Sequence, residues 1–302
     1  MQHKVHRTMK TYLTPLLLCL CLLSCRKEAA DTRLSDEAFW RLGWRMIGNS
    51  WNGDYQTASI QFDSLIGQRD SMDRQFVLIG LEAKLELGKE QEVEALLEAQ
   101  PREIQQQLCR SPLLAGRGPC AELRQETVQE PELQRELVRM FMDDQQVRGN
   151  WMDELRQKYR IDSSEVTGTS MRQVDERNRE QLKQIITNYG FPTRQLVGNE
   201  AMEGVFYIIQ HADLDRAWQA DQLSYIREAV ERGELEAQNY AYLFDRIQVN
   251  NGDLQRYGTQ FDEVDAEKGI AKLKPVENRE ELNKRRRELG MMPIEMYKRL
   301  ML

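Results

Sequence analysis

Apolar residues recur at helical spacing through nearly all of a chain in which 30% of the 302 positions are charged. Leu133, Leu137, Met140 and Phe141 form one such stripe. Val174, Leu182, Ile185 and Ile186 form another, and Met202, Val205, Ile208, Ile209 and Ala212 a third. Intervals of three and four put side chains on one face of an α-helix, whereas a half-buried strand needs strict alternation. The pattern predicts a mostly α-helical protein with solvated charged faces. Only Arg256 to Phe261 and Ile270 to Val276, short β-permissive runs separated by an acidic turn, predict strands, as a small hairpin.

The first residues have a different logic. Lys4, Arg7 and Lys10 precede an apolar run from Leu13 to Leu23 that is too short for a membrane span of about 20 residues. The run ends in Leu22-Leu23-Ser24-Cys25, which resembles the lipobox of bacterial lipoproteins. This predicts a signal peptide over residues 1–24, palmitate or a related lipid on Cys25, and a tether over 25–36. Several acyl chains on one terminus hold a protein to a bilayer, where a single chain binds only marginally. The expected address is the cell envelope, on an outer membrane facing the periplasm or the cell surface. Without the leader's three basic groups, 39 Lys and Arg face 49 Asp and Glu, a net charge of −10. Such a balance argues against nucleic acid as a partner, because phosphate neutralisation drives that binding.

Residues 37–130 read as paired short helices. Gly53-Asp54-Tyr55 followed by Ala58, Phe62 and Leu65 is echoed by Gly88-Lys89-Glu90 followed by Val93 and Leu97, an offset of 35 residues. The spacing resembles the tetratricopeptide repeat, whose period is about 34 residues. It implies helical hairpins, serving either as a partner groove or as a packing layer. Trp40, Trp44 and Trp51 are expected in its core. Pro101 to Pro131 carries four of the eight prolines and marks the boundary with a second domain, 131–302. Cys109 and Cys120 are the cysteines left once the leader and Cys25 are set aside; an oxidising compartment would let them pair, though spacing alone leaves two thiols equally open.

Within 131–302 the chemistry concentrates around His211, the only histidine beyond the leader, in Gln210-His211-Ala212-Asp213. Glu200, Gly204, Tyr207 and His211 share one edge of the helix expected over 200–212, and the notch at Gly204 asks for a packing or binding explanation. Asp213 and Asp215 are candidates to cap the next helix. Asp245 and Arg246 lie on a later helix. Tyr257-Gly258-Thr259-Gln260 presents a phenol, a hydroxyl and an amide from a bent backbone, and Arg285 and Arg286 lie in the final helix, expected over about 277–289.

From about residue 133 to 297 the chain resembles a bacterial domain family of unknown function. The resemblance rests on Asp175 and Asn178, Gly190 to Pro192, the Gln-His-Ala-Asp motif at 210–213, Asp245-Arg246, Tyr257 to Phe261, and Arg285-Arg286 before Leu289-Gly290. It implies no established activity. The chain departs from the family pattern at Asn278-Arg279, where many members carry Asp-Pro. It departs again at Asn283, where an aspartate usually precedes the arginines. Were that aspartate a proton carrier, this copy would be altered or inactive.

Two functional readings follow. In the first, His211 is a general acid/base oriented by Asp213 or Asp245, with Arg246, Tyr257, Thr259, Gln260, Arg285 and Arg286 binding a polar or anionic substrate in a hydrolase-like reaction. No GxSxG, phosphate loop, zinc spacing or cofactor motif accompanies it, so neither a metal nor a cofactor is expected. In the second, the same groups and the repeat-like helices recognise an envelope protein or peptide without turnover. A blander reading makes His211 and Arg246 parts of a satisfied polar core. The sequence sets no oligomeric state.

Overall fold

Capping residues and glycine turns divide the N-terminal part into two helical hairpins. Ser35 accepts the Ala38 N–H at the start of α1 (Asp36–Trp51), and Asp54 accepts the Thr57 N–H at the start of α2 (Tyr55–Leu65). The second hairpin is α3 (Arg74–Glu86) and α4 (Glu90–Glu98). Gly53 and Gly88, at φ 75° and 69°, make the left-handed turns that join each pair. Trp40 and Trp44 are buried, as expected of core aromatics. Trp51 closes α1 at 56% exposure and belongs to the surface, because it lies past the face that α2 and α3 cover. After α5 (Arg102–Leu108), a disulfide joins Cys109 to Cys120 with Cα atoms 5.1 Å apart.

These descriptions come from a computed structural model that covers residues 33–69, 72–121, 127–165 and 170–302. The leader, Cys25 and most of the tether lie outside the described residues. Ser35–Leu302 forms one compact unit. No helix among the described residues is long and apolar enough to cross a membrane.

The C-terminal part is built around one apolar helix. In chain order it comprises α6 (Pro131–Gln146), α7 (Asp153–Tyr159), α8 (Met171–Tyr189), α9 (Arg194–Val197), α10 (Asn199–Gln210), α11 (Arg216–Glu231) and α12 (Ala237–Asn250). Then come β1 (Phe261–Asp265), β2 (Ile270–Leu273), α13 (Leu282–Glu288) and α14 (Ile294–Leu300). Helix α10 packs against α6, α8, α9, α11 and α12. Met202, Val205, Ile208 and Ile209 meet Leu137, Val138, Leu182 and Leu243 in the core. Helices α6 and α10 run in the same direction at their contact, since Phe141 lies on Gly204 and Tyr207 while Asp144, one turn on, reaches His211. A Cβ on Gly204 would stand 2.8 Å from Phe141 Cβ, so the notch is explained by packing: it lets the two helices approach.

The hairpin forms, but its first strand begins where the sequence expectation ended. The predicted strand 256–261 is bent instead, because the N–H groups of Arg256, Tyr257 and Thr259 donate to the Asp245 carboxylate and are lost to any ladder. The acidic residues expected in the turn form β1, which pairs antiparallel with β2 across a bulge between Phe261 and Glu263. The helix expected over about 277–289 forms as α13, over Leu282–Glu288, and Pro293 starts a further helix, α14. The loop before it seats the N-terminal helices: Trp40 Nε1 donates to Met291 O at 2.8 Å, Gln75 to Gly290 O, and Arg287 pairs with Glu37.

Candidate functional site

His211 terminates α10, and its Nδ1 lies 2.7 Å from Asp144 Oδ1. Asp144 is 1% exposed and comes from the last turn of α6. Gln145 Nε2 donates to its second oxygen at 2.7 Å, and Arg148 approaches its first at 3.1 Å. The Arg148 guanidinium also donates to both oxygens of Asp175, at 2.8 and 2.9 Å, tying α8 to the end of α6. Tyr207 stacks on Phe141 and stands beside the imidazole, 6.0 Å between centroids. The result is a chain of contacts from His211 through Asp144 and Arg148 to Asp175.

Helix ends reinforce this arrangement. The C-terminal ends of α6 and α10 lie together and carry partial negative charge, which favours cations there. Arg148 answers this directly by donating to the Asp144 carbonyl at 2.9 Å. Burial pushes the Asp175 carboxyl above its ordinary range, and the hydrogen bonds and charge of Arg148 pull against that. Next along α6, buried Asp143 has its own cations, Arg139 at 2.7 Å and Arg177 at 2.5 Å.

The residues singled out in the sequence divide among three places. Asp213 does not orient His211. Its carboxylate faces α12, accepting from Arg246 Nε at 2.8 Å and Nη2 at 2.5 Å and from Asn250 at 2.9 Å. Burial works against its charge, but the hydrogen bonds and charge of Arg246, with help from Asn250 and Gln219, hold the carboxyl below the usual range. Gln219 closes the end of α10 by donating to Ile209 O and Gln210 O. The Gln-His-Ala-Asp motif is therefore a junction: its histidine is fastened to α6 and its aspartate to α12.

Asp245 does not orient His211 either. It is fully buried, and besides the three backbone N–H groups it accepts the Thr259 hydroxyl at 3.0 Å. Gln260 Nε2 donates to that hydroxyl. Arg286 Nε donates to Met292 O and its Nη1 to Tyr257 O, while Arg285 donates to the carbonyls of Arg256, Glu277 and Asn278. The Tyr257 ring packs against Phe244 and Tyr240. Thr259, Gln260, Arg285 and Arg286 thus direct their donors into the fold, where they pin the bent 256–260 segment. Asn283 Oδ1 accepts the Ile294 N–H at 2.9 Å, a role open to aspartate, and its amide donates to Glu295 at 2.9 Å, which an aspartate could not do, so both contacts serve the start of α14.

Asp144, Asp175 and His211 each offer a ligand atom, all within 4.8 Å of one another, the only such described group of three or more His, Cys, Asp or Glu residues. No metal was expected from the sequence. Arg148 already supplies the positive charge between the two carboxylates, so a metal ion would have to displace it. Neither of two surface recesses includes His211. One is lined by Met142, Trp151 and Arg156 among others, and the other runs along β2.

Residues 131–302 match the model of a family of unknown function, DUF6624. The chain belongs to this family. Comparison with curated proteins and with solved structures gave no match. All members of the His211 cluster fall inside the DUF6624 domain, and the N-terminal hairpins fall outside it. Sequence reasoning missed Asp144 and Arg148, although Asp144 left a signal. It continues the 133, 137, 140, 141 stripe by one step, and a carboxylate on the buried face of a helix needs a partner. Asn178 likewise sits on the stripe of α8, where its amide donates to Met140 O.

Proposed function

We propose that the DUF6624 domain is the working part of a lipid-anchored envelope protein, and that it moves a proton through His211 in a hydrolase-like reaction on a polar substrate. The observation that carries this reading is the 2.7 Å contact between His211 Nδ1 and a buried Asp144 carboxylate. A carboxylate held by Arg148 and Gln145 favours the tautomer protonated at Nδ1 and leaves the Nε2 lone pair for proton transfer. Nε2 makes no hydrogen bond to a described hydroxyl or thiol, so the nucleophile in this reading is water. Nε2 takes a proton from the attacking water, Asp144 stabilises the imidazolium, and the leaving group receives the proton. The lipid anchor rests on Leu22-Leu23-Ser24-Cys25, and a Cys109–Cys120 disulfide fits the oxidising compartment that the anchor implies.

The test is a screen of residues 26–302 against ester, phosphoester, amide and glycoside substrates. Turnover that falls by about 10²–10⁴-fold in His211→Ala, and substantially in Asp144→Asn, is the expected result. Absence of turnover in all four classes overturns the acid/base reading. Labelled palmitate should attach to the full chain and not to Cys25→Ser. A recognition role without turnover is favoured by one observation, the placement of both recesses away from His211.

A further inference from the structure

We propose that the groove along β2 is a docking site for an extended acidic peptide, which lies beside the strand as an added one. The groove has a volume of about 480 Å³ and is lined by every residue from Gly269 to Val276, together with Arg279 and Lys298. A recess that follows consecutive residues follows backbone, not the face of a helix. The described sheet has two strands, so β1 covers one edge of β2 and no strand covers the other. A single bridge from Gln255 to Val276 lies just past its end. An open strand edge offers unpaired N–H and C=O groups to an extended chain, and side chains of alternating direction to its neighbours.

Charge selects the occupant. Asp262 and Asp265 on β1 are neutralised within the hairpin by Lys272 and Lys268. Among the described residues the side chains of Lys274, Arg279 and Lys298 form no salt bridge, although Lys274 lies close enough to Asp262 to help lower its carboxyl pKa; the recess lining itself holds four basic residues, Lys272 included, and no carboxylate. The whole chain carries a formal net charge of −7, so a recess whose charged lining is all basic is a local reversal of sign. Lys274 and Lys298 are only partly exposed, where attraction to an opposite charge is screened less than in open water. Ile270, Leu273 and Val276, all half-buried, give the same recess apolar surface between the charges. A peptide alternating acidic and β-branched residues matches both features. A flat anionic bilayer matches the charge but not the concavity.

The experiment measures fluorescence anisotropy of labelled ten-residue peptides added to the intact protein. One alternates Glu and Val, a second alternates Lys and Val, and a third is the Glu peptide N-methylated at alternate residues. The Glu peptide should bind. The other two, and the Lys274→Glu/Arg279→Glu/Lys298→Glu variant with the Glu peptide, should each bind at least about tenfold more weakly. Arg279→Glu alone, at an exposed position, gives the same direction should the triple variant melt early. The proposal is overturned by equal binding of the Lys peptide, by undiminished binding of the methylated peptide, by no binding of the Glu peptide, or by unchanged affinity in Arg279→Glu. Co-sedimentation with phosphatidylglycerol vesicles through the same three residues, without peptide binding, overturns it in favour of a membrane contact.

Discussion

Gly204→Ala tests whether the close approach of α6 and α10 is what brings the histidine to its carboxylate. The added methyl would stand 2.8 Å from Phe141 Cβ and 3.2 Å from Leu137 O, where ordinary contact begins at 3.4 Å. Both atoms belong to α6 itself and cannot rotate aside, so the helices must part by several tenths of an ångström. Overpacking of this kind costs about 1–3 kcal/mol. Alanine offsets about 0.5–1 kcal/mol of that through its better helix propensity. The net expectation is a loss of up to about 2.5 kcal/mol, centred near about 1 kcal/mol and seen as a melting temperature lower by a few degrees at about 2–4 °C per kcal/mol. His211 lies seven residues along α10, about 10 Å from the substitution, so its contact with Asp144 should lengthen too. Urea denaturation gives the energy, and the downfield NMR signal of the imidazole Nδ1–H reports the contact. A variant as stable as the parent, with that signal unmoved, would refute the argument that the notch serves the dyad.

Asp245→Ala strands the N–H groups of Arg256, Tyr257 and Thr259 in a buried site and should cost roughly 3–5 kcal/mol in urea unfolding, at about 1–3 kcal/mol per orphaned group with partial relaxation; a loss below about 1 kcal/mol would show that the segment does not depend on it. Reducing the Cys109–Cys120 bond, which spans 11 positions, should cost about 2–3 kcal/mol, and titration of the unreduced unfolded chain from residue 26 should find no free thiol. Asp213 has a depressed carboxyl pKa, so its contribution is present above about pH 4, the ordinary unfolded value, and is lost as pH falls through the lower folded value. Asp213→Asn should therefore flatten the acid limb of the stability curve, and an unchanged slope below pH 4 would contradict the Arg246 pairing.

Periodicity made the helices legible because each is held by a stripe that local spacing reveals. Helix α10 and the paired N-terminal helices fall close to where the apolar intervals place them. The partners of polar groups were not legible in the same way. Nothing within ten residues of His211 announces Asp144, which is 67 positions away, whereas Asp213 stands beside His211 in the chain and turns to another helix. Sequence adjacency misled most where a motif spans a helix end, because successive residues there leave the helix in different directions. The 256–260 segment was misjudged for a related reason. Its composition permits a strand, and only the distant Asp245 carboxylate takes its N–H groups away.

The bond from Trp40 to Met291 spans 251 positions. A chain emerging gradually from a ribosome must leave the indole N–H of its first tryptophan without this partner while all the intervening helices assemble. Closure of so long a loop comes late, which leaves an interval in which proteases and chaperones can reach that indole. One side of the opening helix is thus sheltered early, by α2 and α3, and the side that meets Met291 only at the end.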